Sequence, residues 1–361
     1  MGQNYIERNA TNILKGVALI FMFIHHFFTF PEFYVGGISY PYLEGFAGLF
    51  NEPFKICVSI FAFLTGYFYV FAKKKNLKYS LKKATDVWIT YLVFFLLLLI
   101  PAVALGCWDG SVSAFILEAV GLSRPNMIFC WYVDFYILAI LFLPLYHLAA
   151  KKHLLTALLI GIAAPVCIIA VITDRLHIPY EDVEKLVFDF LTWFPCIASG
   201  YIVARFGLFE KWFDFLFKRS IKIKVLRIAV YLILMGIAFM GRYFLYEVSF
   251  NISVFTVTIP FDFLLAPLFI YGLLNIYYEF PWKKALLSVS VIGKYSLGMW
   301  FVHCIFFNIC KEYTQPILFF PKIPLLVLLW GLLLCLAVSF AVTKAIAPLL
   351  KIKNKLLFKN T

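Results

Sequence analysis

Long apolar stretches separated by short polar segments constrain this chain more than any other feature. A membrane-spanning helix needs about 20 predominantly apolar residues. Stretches of this kind predict ten spans, near residues 12–30, 54–72, 87–105, 129–148, 154–173, 186–204, 225–244, 255–277, 288–310 and 323–347. We therefore expect an all-α, polytopic membrane bundle that forms one domain over residues 1–361, with no appended soluble domain.

The composition agrees with a membrane protein. Hydrophobic residues make up 63% of the chain and charged residues only 14%, whereas roughly a quarter of the residues of a soluble domain are charged. The net charge of +13 would indicate nucleic-acid binding only if it lay on a basic, water-soluble domain. No segment is long and polar enough to form such a domain, so we expect no nucleic-acid partner.

The eight cysteines give little indication of a function. They lie mostly inside apolar stretches and show no metal-ligand spacing, so we expect no metal site. Cys107 and Cys130 flank a predicted outer loop, where a disulfide is possible although nothing in the spacing supports it.

Lys and Arg are distributed unequally between two alternating sets of connecting segments. The set with most of the basic residues comprises the N-terminus, residues 73–86, 149–153, 205–224, 278–287 and the C-terminal tail. The other set holds most of the acids. Because cytoplasmic segments of membrane proteins are enriched in Lys and Arg, we predict a multi-pass protein of the cell membrane with both termini in the cytoplasm.

The first predicted span contains ionisable residues at both ends. Placing such a side chain in lipid costs several kcal/mol unless it has a partner or a wet cavity. Lys15 and His26 are about three helical turns apart, so they lie on one face of the helix with about 16 Å between them along its axis. His25 points about 100° away from that face. The predicted orientation puts Lys15 near the cytoplasm and both histidines in the outer half.

Five further ionisable residues are predicted at a similar depth on the outer side: Asp134, Asp189, Arg242, Asp262 and His303. Taken singly, each histidine can be a packing or structural residue, and each acid can pair with the arginine or with a histidine. As a set they indicate a polar, water-accessible chamber open to the outside, where an acceptor substrate would enter.

These residues lie in segments that together resemble the membrane acyltransferase-3 family, whose members O-acylate polysaccharides and other cell-surface molecules. Its first helix carries a basic residue, ten apolar residues and a histidine, which correspond here to Lys15 and His26. The segments that resemble later helices are FKICVSIFAFLTGYFYV, CWYVDFYILAILFLPLY, WFPCIASGYIVARFG and IGKYSLGMWFVHCIF. The chain departs from the pattern where many members carry an Arg-x-x-Arg pair, because Lys83 and Asp86 stand there.

The resemblance implies transfer of an acyl group, acetyl in the simplest case, from cytoplasmic acyl-CoA to a hydroxyl of a surface polysaccharide or related glycan. Acyl-CoA would be a donor substrate, with no permanently bound cofactor, and membrane lipid would surround the chain. Lys15, Lys82 and Lys83 would bind the CoA phosphates as point charges.

A neutral histidine suits the reacting position. His26 would act either as general base on the acceptor hydroxyl or as the nucleophile that carries the acyl group, and the sequence does not choose between them. Asp134 or Asp189 would fix its tautomer. The residues assigned to the substrate are His25, Arg242, Asp262 and His303.

A membrane transporter or lipid-linked glycan flippase is the alternative, because it too would place charged residues in a central cavity. Transporters often have paired broken helices in two related halves, and the sequence shows no such pair. A non-catalytic partner in a polysaccharide-synthesis complex is a third interpretation. Residues 206–224 suit an amphipathic helix on the inner leaflet or a basic loop equally well. The sequence indicates neither the acceptor, the acyl group nor the oligomeric state.

Overall fold

A computed structural model describes residues 4–30, 34–36, 38, 53–108, 111–121, 130–172, 181–247, 250–252, 255–257, 261–279, 286–307 and 310–358. These residues are almost entirely helical, which confirms the predicted class. The exception is a short antiparallel hairpin formed by β1 (Phe250–Ile252) and β2 (Phe255–Val257).

The described residues form fourteen α-helices. In chain order they are α1 (Arg8–Phe28), α2 (Ile56–Phe71), α3 (Leu77–Ala104), α4 (Val112–Val120), α5 (Trp131–Ala150), α6 (Leu154–Leu158), α7 (Ala164–Ile172), α8 (Glu181–Phe206), α9 (Lys224–Glu247), α10 (Asp262–Glu279), α11 (Leu287–Lys294), α12 (Ser296–Cys304), α13 (Lys311–Leu318) and α14 (Pro324–Leu357). A π-helical segment joins α6 to α7 (Leu159–Ala163), a second follows α8 (Phe209–Arg219), and a 3-10 turn extends α12 (Ile305–Phe307).

Among the described residues, six helices are long and apolar enough to cross a membrane: α1, α3, α5, most of α8, most of α9 and α14. The pair α11 and α12, bent by 69°, would be a seventh if it counts as one span. α2 and Leu154–Ile169 are apolar but shorter, and α10 begins at Asp262 rather than at residue 255. The chain is therefore a multi-pass membrane protein, whereas ten spans and cytoplasmic termini stay predictions.

The chain divides into two compact units. The first comprises Met1–Met22, Asn51–Lys75 and Phe142–Lys294, and the second comprises Phe23–Phe50, Asn76–Leu141 and Tyr295–Thr361.

In the first unit, α2 and α8 cross with their backbones in contact. A Cβ atom at Gly66 would overlap the carbonyl oxygen of Ile197, and one at Gly200 would overlap the carbonyl oxygen of Phe63. Membrane helices gain little hydrophobic energy from association, so close packing at small residues holds them together. The Gly-containing segments of the sequence thus mark the points where these helices meet.

A similar crossing in the first unit joins the first half of α1 to α11. Gly16 faces the carbonyl oxygen of Val289, and Gly293 faces the carbonyl oxygen of Asn12, with no room for a Cβ at either glycine. This crossing fixes the part of α1 that carries Lys15.

In the second unit, α12 packs against α14. A Cβ at Gly298 would overlap the hydroxyl oxygen of Ser339, and that hydroxyl donates to the carbonyl oxygen of Tyr295 at 3.1 Å. These contacts hold the short helix on which His303 lies.

The segment between α8 and α9 is helical, which favours the amphipathic interpretation. Phe209 is buried, while Trp212 is 61% exposed on the other side. Asp214 anchors the segment within the first unit, because its Oδ1 accepts hydrogen bonds from the hydroxyls of Tyr5 at 2.8 Å and Tyr271 at 2.9 Å.

Candidate active site

His26 and His303 are joined by a direct hydrogen bond between their rings in the second unit. Nδ1 of His26 lies 2.7 Å from Nε2 of His303. The rings are inclined by only 12°, and their centroids are 4.8 Å apart. These values fit two rings that meet edge to edge, with the bonded nitrogens between the two centroids. His303 is fully buried and His26 is half-buried.

The other nitrogen of His303 determines which atoms carry the protons. Nδ1 of His303 is hydrogen-bonded to the carbonyl oxygen of Trp300. A carbonyl oxygen only accepts, so this Nδ1 is the protonated nitrogen, and Nε2 of a neutral ring then accepts. Nδ1 of His26 must donate to it, which places the lone pair of His26 on Nε2. His26 is thereby assigned the tautomer that a general base requires.

The orienting group at Nδ1 of His26 is therefore a histidine, where the sequence suggested an acid. Asp134 is half-buried in the first turn of α5, in the second unit with His26 and His303. Asp189 is half-buried in α8, in the first unit. Their assignment to catalysis stays a prediction. The sequence pointed to His303 only through its predicted depth, because His26 and His303 were both predicted in the outer half of their membrane spans.

His25 is buried and packs on the end of its own helix. Thr29 donates its hydroxyl to the carbonyl oxygen of His25, and its Oγ1 lies 3.5 Å from Nδ1 of the same histidine. The Phe30 ring meets His25 edge-on, with 5.0 Å between the centroids. His25 and His26 thus have different surroundings, as their helical positions predict.

Arg242 and Asp262 form an ion pair deep in the first unit. Nη1 of Arg242 donates to Oδ2 of Asp262, and the two side chains are 7% and 1% exposed. The guanidinium lies 5.9 Å from the ring centre of Trp193. Oδ1 of Asp262 is buried and has no hydrogen-bond partner in the described part of the chain. The pairing that the sequence left open is present, while the predicted substrate roles stay predictions.

The lysines assigned to the donor lie in both units. Lys15 is half-buried in α1 of the first unit, and Lys82 and Lys83 lie in the first turns of α3 in the second. Nζ of Lys353, in α14, lies 2.6 Å from Oδ1 of Asp86. A lysine from the C-terminal helix thus adjoins the acid that stands where the family pattern has a second basic residue.

A second group of basic residues lies in the first unit where α2, α5 and α8 end, and it comprises Lys75, Lys151 and Arg205. Nζ of Lys75 donates to the carbonyl oxygen of Ala72, and Nε of Arg205 donates to that of Lys151, each at 2.8 Å. Burial, and then the positive charge of Arg205, lower the pKa of Lys75. None of these three cations pairs with a carboxylate within the described ranges. They offset the negative ends of the helix dipoles, and their surplus charge favours anions.

Comparison with known proteins agrees with the family to which the motifs pointed. The model of the acyltransferase-3 family, described as an acyltransferase domain, matches residues 8–344. No curated protein and no solved structure matches the chain. The matched range is nearly the whole chain and includes both α1 with His26 and α12 with His303. The chain therefore belongs to the acyltransferase-3 family of membrane acyltransferases.

Proposed function

We propose that this protein transfers an acyl group, acetyl in the simplest case, from cytoplasmic acyl-CoA to a hydroxyl of a surface polysaccharide or related glycan. Family membership supports the class of reaction. The single observation that carries the assignment of the reacting group is the 2.7 Å bond from His26 Nδ1 to His303 Nε2, because it leaves the basic lone pair on Nε2 of His26.

In the proposed step, Nε2 of His26 takes the proton of the acceptor hydroxyl as its oxygen attacks the thioester carbonyl carbon. The carbon–sulfur bond breaks, the CoA thiolate leaves, and the proton passes from His26 to the sulfur. His303 holds the His26 ring and accepts from its Nδ1 throughout. In the second form of the mechanism, Nε2 attacks the thioester itself and carries the acyl group to the acceptor.

Charge on the predicted cytoplasmic side supports a CoA thioester as donor. We assign the CoA phosphates to Lys15, Lys82 and Lys83, since compact ammonium groups bind phosphates as point charges. Acyl-CoA is a substrate in this scheme, so the protein needs no permanently bound cofactor.

Residues of the predicted outer side are assigned to the acceptor. Oδ1 of Asp262 is a buried acceptor atom without a donor in the described chain, and a hydroxyl group of the glycan would supply one. Arg242 orients that carboxylate through Oδ2. His25 and His303 complete the set proposed for the acceptor, while Asp134 and Asp189 stay proposed catalytic residues.

The alternative of a transporter or flippase predicts two related broken helices. The described residues contain one bent pair, α11 with α12. Membership in an acyltransferase family and a histidine held as a base both favour the enzyme.

Release of the CoA thiol separates the two functions. We expect purified protein in liposomes to release thiol from acetyl-CoA several-fold faster when a polysaccharide acceptor is added, because transfer frees one CoA per acyl group. His26→Ala should remove this acceptor-dependent release. A wild-type protein that is folded and inserted, and yet releases no thiol with any acceptor or acyl-CoA, would exclude the enzyme and favour transport.

A further inference from the structure

Four of the cysteines meet in two pairs in the second unit. Sγ of Cys130 lies 3.4 Å from Sγ of Cys304, and both residues are fully buried. The side chain of Cys310 lies close to that of Cys107. The sequence left a disulfide between Cys107 and Cys130 open, because both flank one predicted loop, but nothing in the spacing supported it. The structure brings each of them to a cysteine far along the chain instead.

The pair of Cys130 and Cys304 is close to the geometry of a covalent bond. A disulfide joins sulfurs about 2.05 Å apart, so a small side-chain rotation would close the gap of 3.4 Å. Cys130 directly precedes α5, and Cys304 is the last residue of α12. The predicted orientation puts both of these helix ends on the outer side, where disulfides form and persist.

We propose that Cys130 and Cys304 form a disulfide bond that fixes His303 in its position beside His26. The oxidant is an external disulfide, supplied by a thiol–disulfide oxidoreductase outside the cytoplasm. One cysteine thiolate attacks it to give a mixed disulfide, and the second displaces the external thiol. Two protein thiols become one disulfide, the external disulfide becomes two thiols, and the two protons pass to them. Because both cysteines are buried in the fold, this exchange takes place while the helices assemble.

The bond has a direct consequence for the histidine pair. In the reduced protein the thiol of Cys304 donates to the carbonyl oxygen of Trp300 at 3.3 Å, and Nδ1 of His303 is bonded to the same oxygen. The disulfide removes the thiol proton, so this competing donor disappears. Nδ1–H of His303 then binds the Trp300 oxygen more strongly, which favours the tautomer that keeps His26 basic.

Peptide mapping of the oxidised protein tests the bond itself. Membranes are treated with N-ethylmaleimide, solubilised and digested without reductant, and the peptides are identified by mass spectrometry. We expect a Cys130–Cys304 cross-linked peptide that disappears after reduction. It should be absent from Cys130→Ser and present in Cys335→Ser, which removes another buried cysteine of the second unit. Finding both Cys130 and Cys304 of the wild type alkylated would overturn the proposal.

Acyl transfer tests the consequence, and this arm rests on the proposed function. We expect Cys130→Ser to lose transfer several-fold and Cys335→Ser to keep the wild-type rate. A cross-linked peptide with no transfer in any variant would leave the disulfide standing and reject the proposed function. Transfer by a wild type that lacks the cross-link would reject the disulfide alone. A cross-linked wild type whose transfer is unaffected by Cys130→Ser would refute the link to His303.

Discussion

At the scale of single residues, the chemistry depends on which nitrogen of His26 carries a proton. An orienting histidine differs from an orienting carboxylate, because it places no negative charge in a buried site and so avoids a large desolvation cost. It also gives no counter-ion to the imidazolium that forms when His26 takes a proton. The Trp300 carbonyl oxygen holds the proton of His303 on Nδ1, and Nε2 of His303 in turn fixes the tautomer of His26.

Removing the orienting ring should impair catalysis more than folding. For His303→Ala we expect acyl transfer to fall about 100-fold, the lower range for a general acid–base contribution, because His26 loses the acceptor for its Nδ1 proton. His303→Gln should retain more activity, since its amide oxygen can accept that bond. Transfer rates and thermal midpoints of both variants check this, and an unimpaired His303→Ala protein would contradict the tautomer assignment.

Glu210, at the start of the π-helical segment after α8, should make stability depend on pH. Burial raises the pKa of this half-buried carboxyl above its ordinary value of 4.5. The folded protein therefore holds the proton more tightly than the unfolded chain, so Glu210 contributes stability below about pH 4.5 that is lost as pH rises through the raised pKa.

The variant Glu210→Gln should be more stable than wild type at pH 7, and the difference should shrink towards pH 5. Glu312→Gln, at an exposed acid of α13, is the control and should follow the wild type. Thermal midpoints in detergent at the two pH values measure both. A Glu210→Gln protein less stable than wild type at pH 7 would contradict the desolvation argument.

The sequence could not predict which residues far apart in the chain contact each other. The depth of His26 and His303 was predictable from the apolar spans and the charge of the loops. Their hydrogen bond was not, because no local pattern encodes a contact between residues 277 positions apart. The same holds for Lys353 with Asp86, where the local sequence showed only an acid in a basic segment. The ion pair of Arg242 with Asp262 was foreseeable as one option, because a buried charge is stable only with a partner or in a wet cavity.

At the scale of elements, glycines at helix crossings fix the position of the helices that carry the site. The lengths of the apolar stretches predicted most helices well. They overestimated the length of α2, which has 16 residues. They also placed the start of α10 too early, because hydrophobicity alone does not distinguish a helix from the hairpin strand that precedes it. The bend between α11 and α12 lay within a single apolar stretch and left only Gly293 as a sign.

The crossing of α1 with α11 should not tolerate a side chain at Gly293. A Cβ there overlaps the Asn12 carbonyl oxygen and comes within 2.8 Å of the Gly16 nitrogen, and neither backbone atom can move alone. We expect Gly293→Ala to lose 1–3 kcal/mol or more, by the usual cost of about that size for overpacking, or to yield little folded protein.

Gly236→Ala is the matched control, because a Cβ on that α9 glycine meets nothing within 4 Å. Alanine also favours a helix over glycine, so this variant should be at least as stable as wild type. Thermal unfolding of both proteins in the same detergent gives the comparison. Equal midpoints for the two variants would show that α1 and α11 do not pack this closely.

At the scale of the whole molecule, the proposed reaction joins a donor made inside the cell to an acceptor outside it. The asymmetric distribution of Lys and Arg is the basis for the predicted orientation. Trypsin should therefore cut the tail near Lys351 and Lys355 in inside-out vesicles and spare it in right-side-out ones. Immunoblotting of a C-terminal tag detects the cut, and the reverse result would mean that the donor and acceptor sides are interchanged.

The most direct test of the central claim is acyl transfer by His26→Ala in inside-out membrane vesicles supplied with radiolabelled acetyl-CoA. His153→Ala, at an exposed histidine before α6, serves as the matched control. We predict that the control transfers label to the glycan like the wild type, while His26→Ala, inserted at the same level, transfers at least about 100-fold less, as expected for loss of a general base. A His26→Ala protein that transfers label at the wild-type rate would contradict the account.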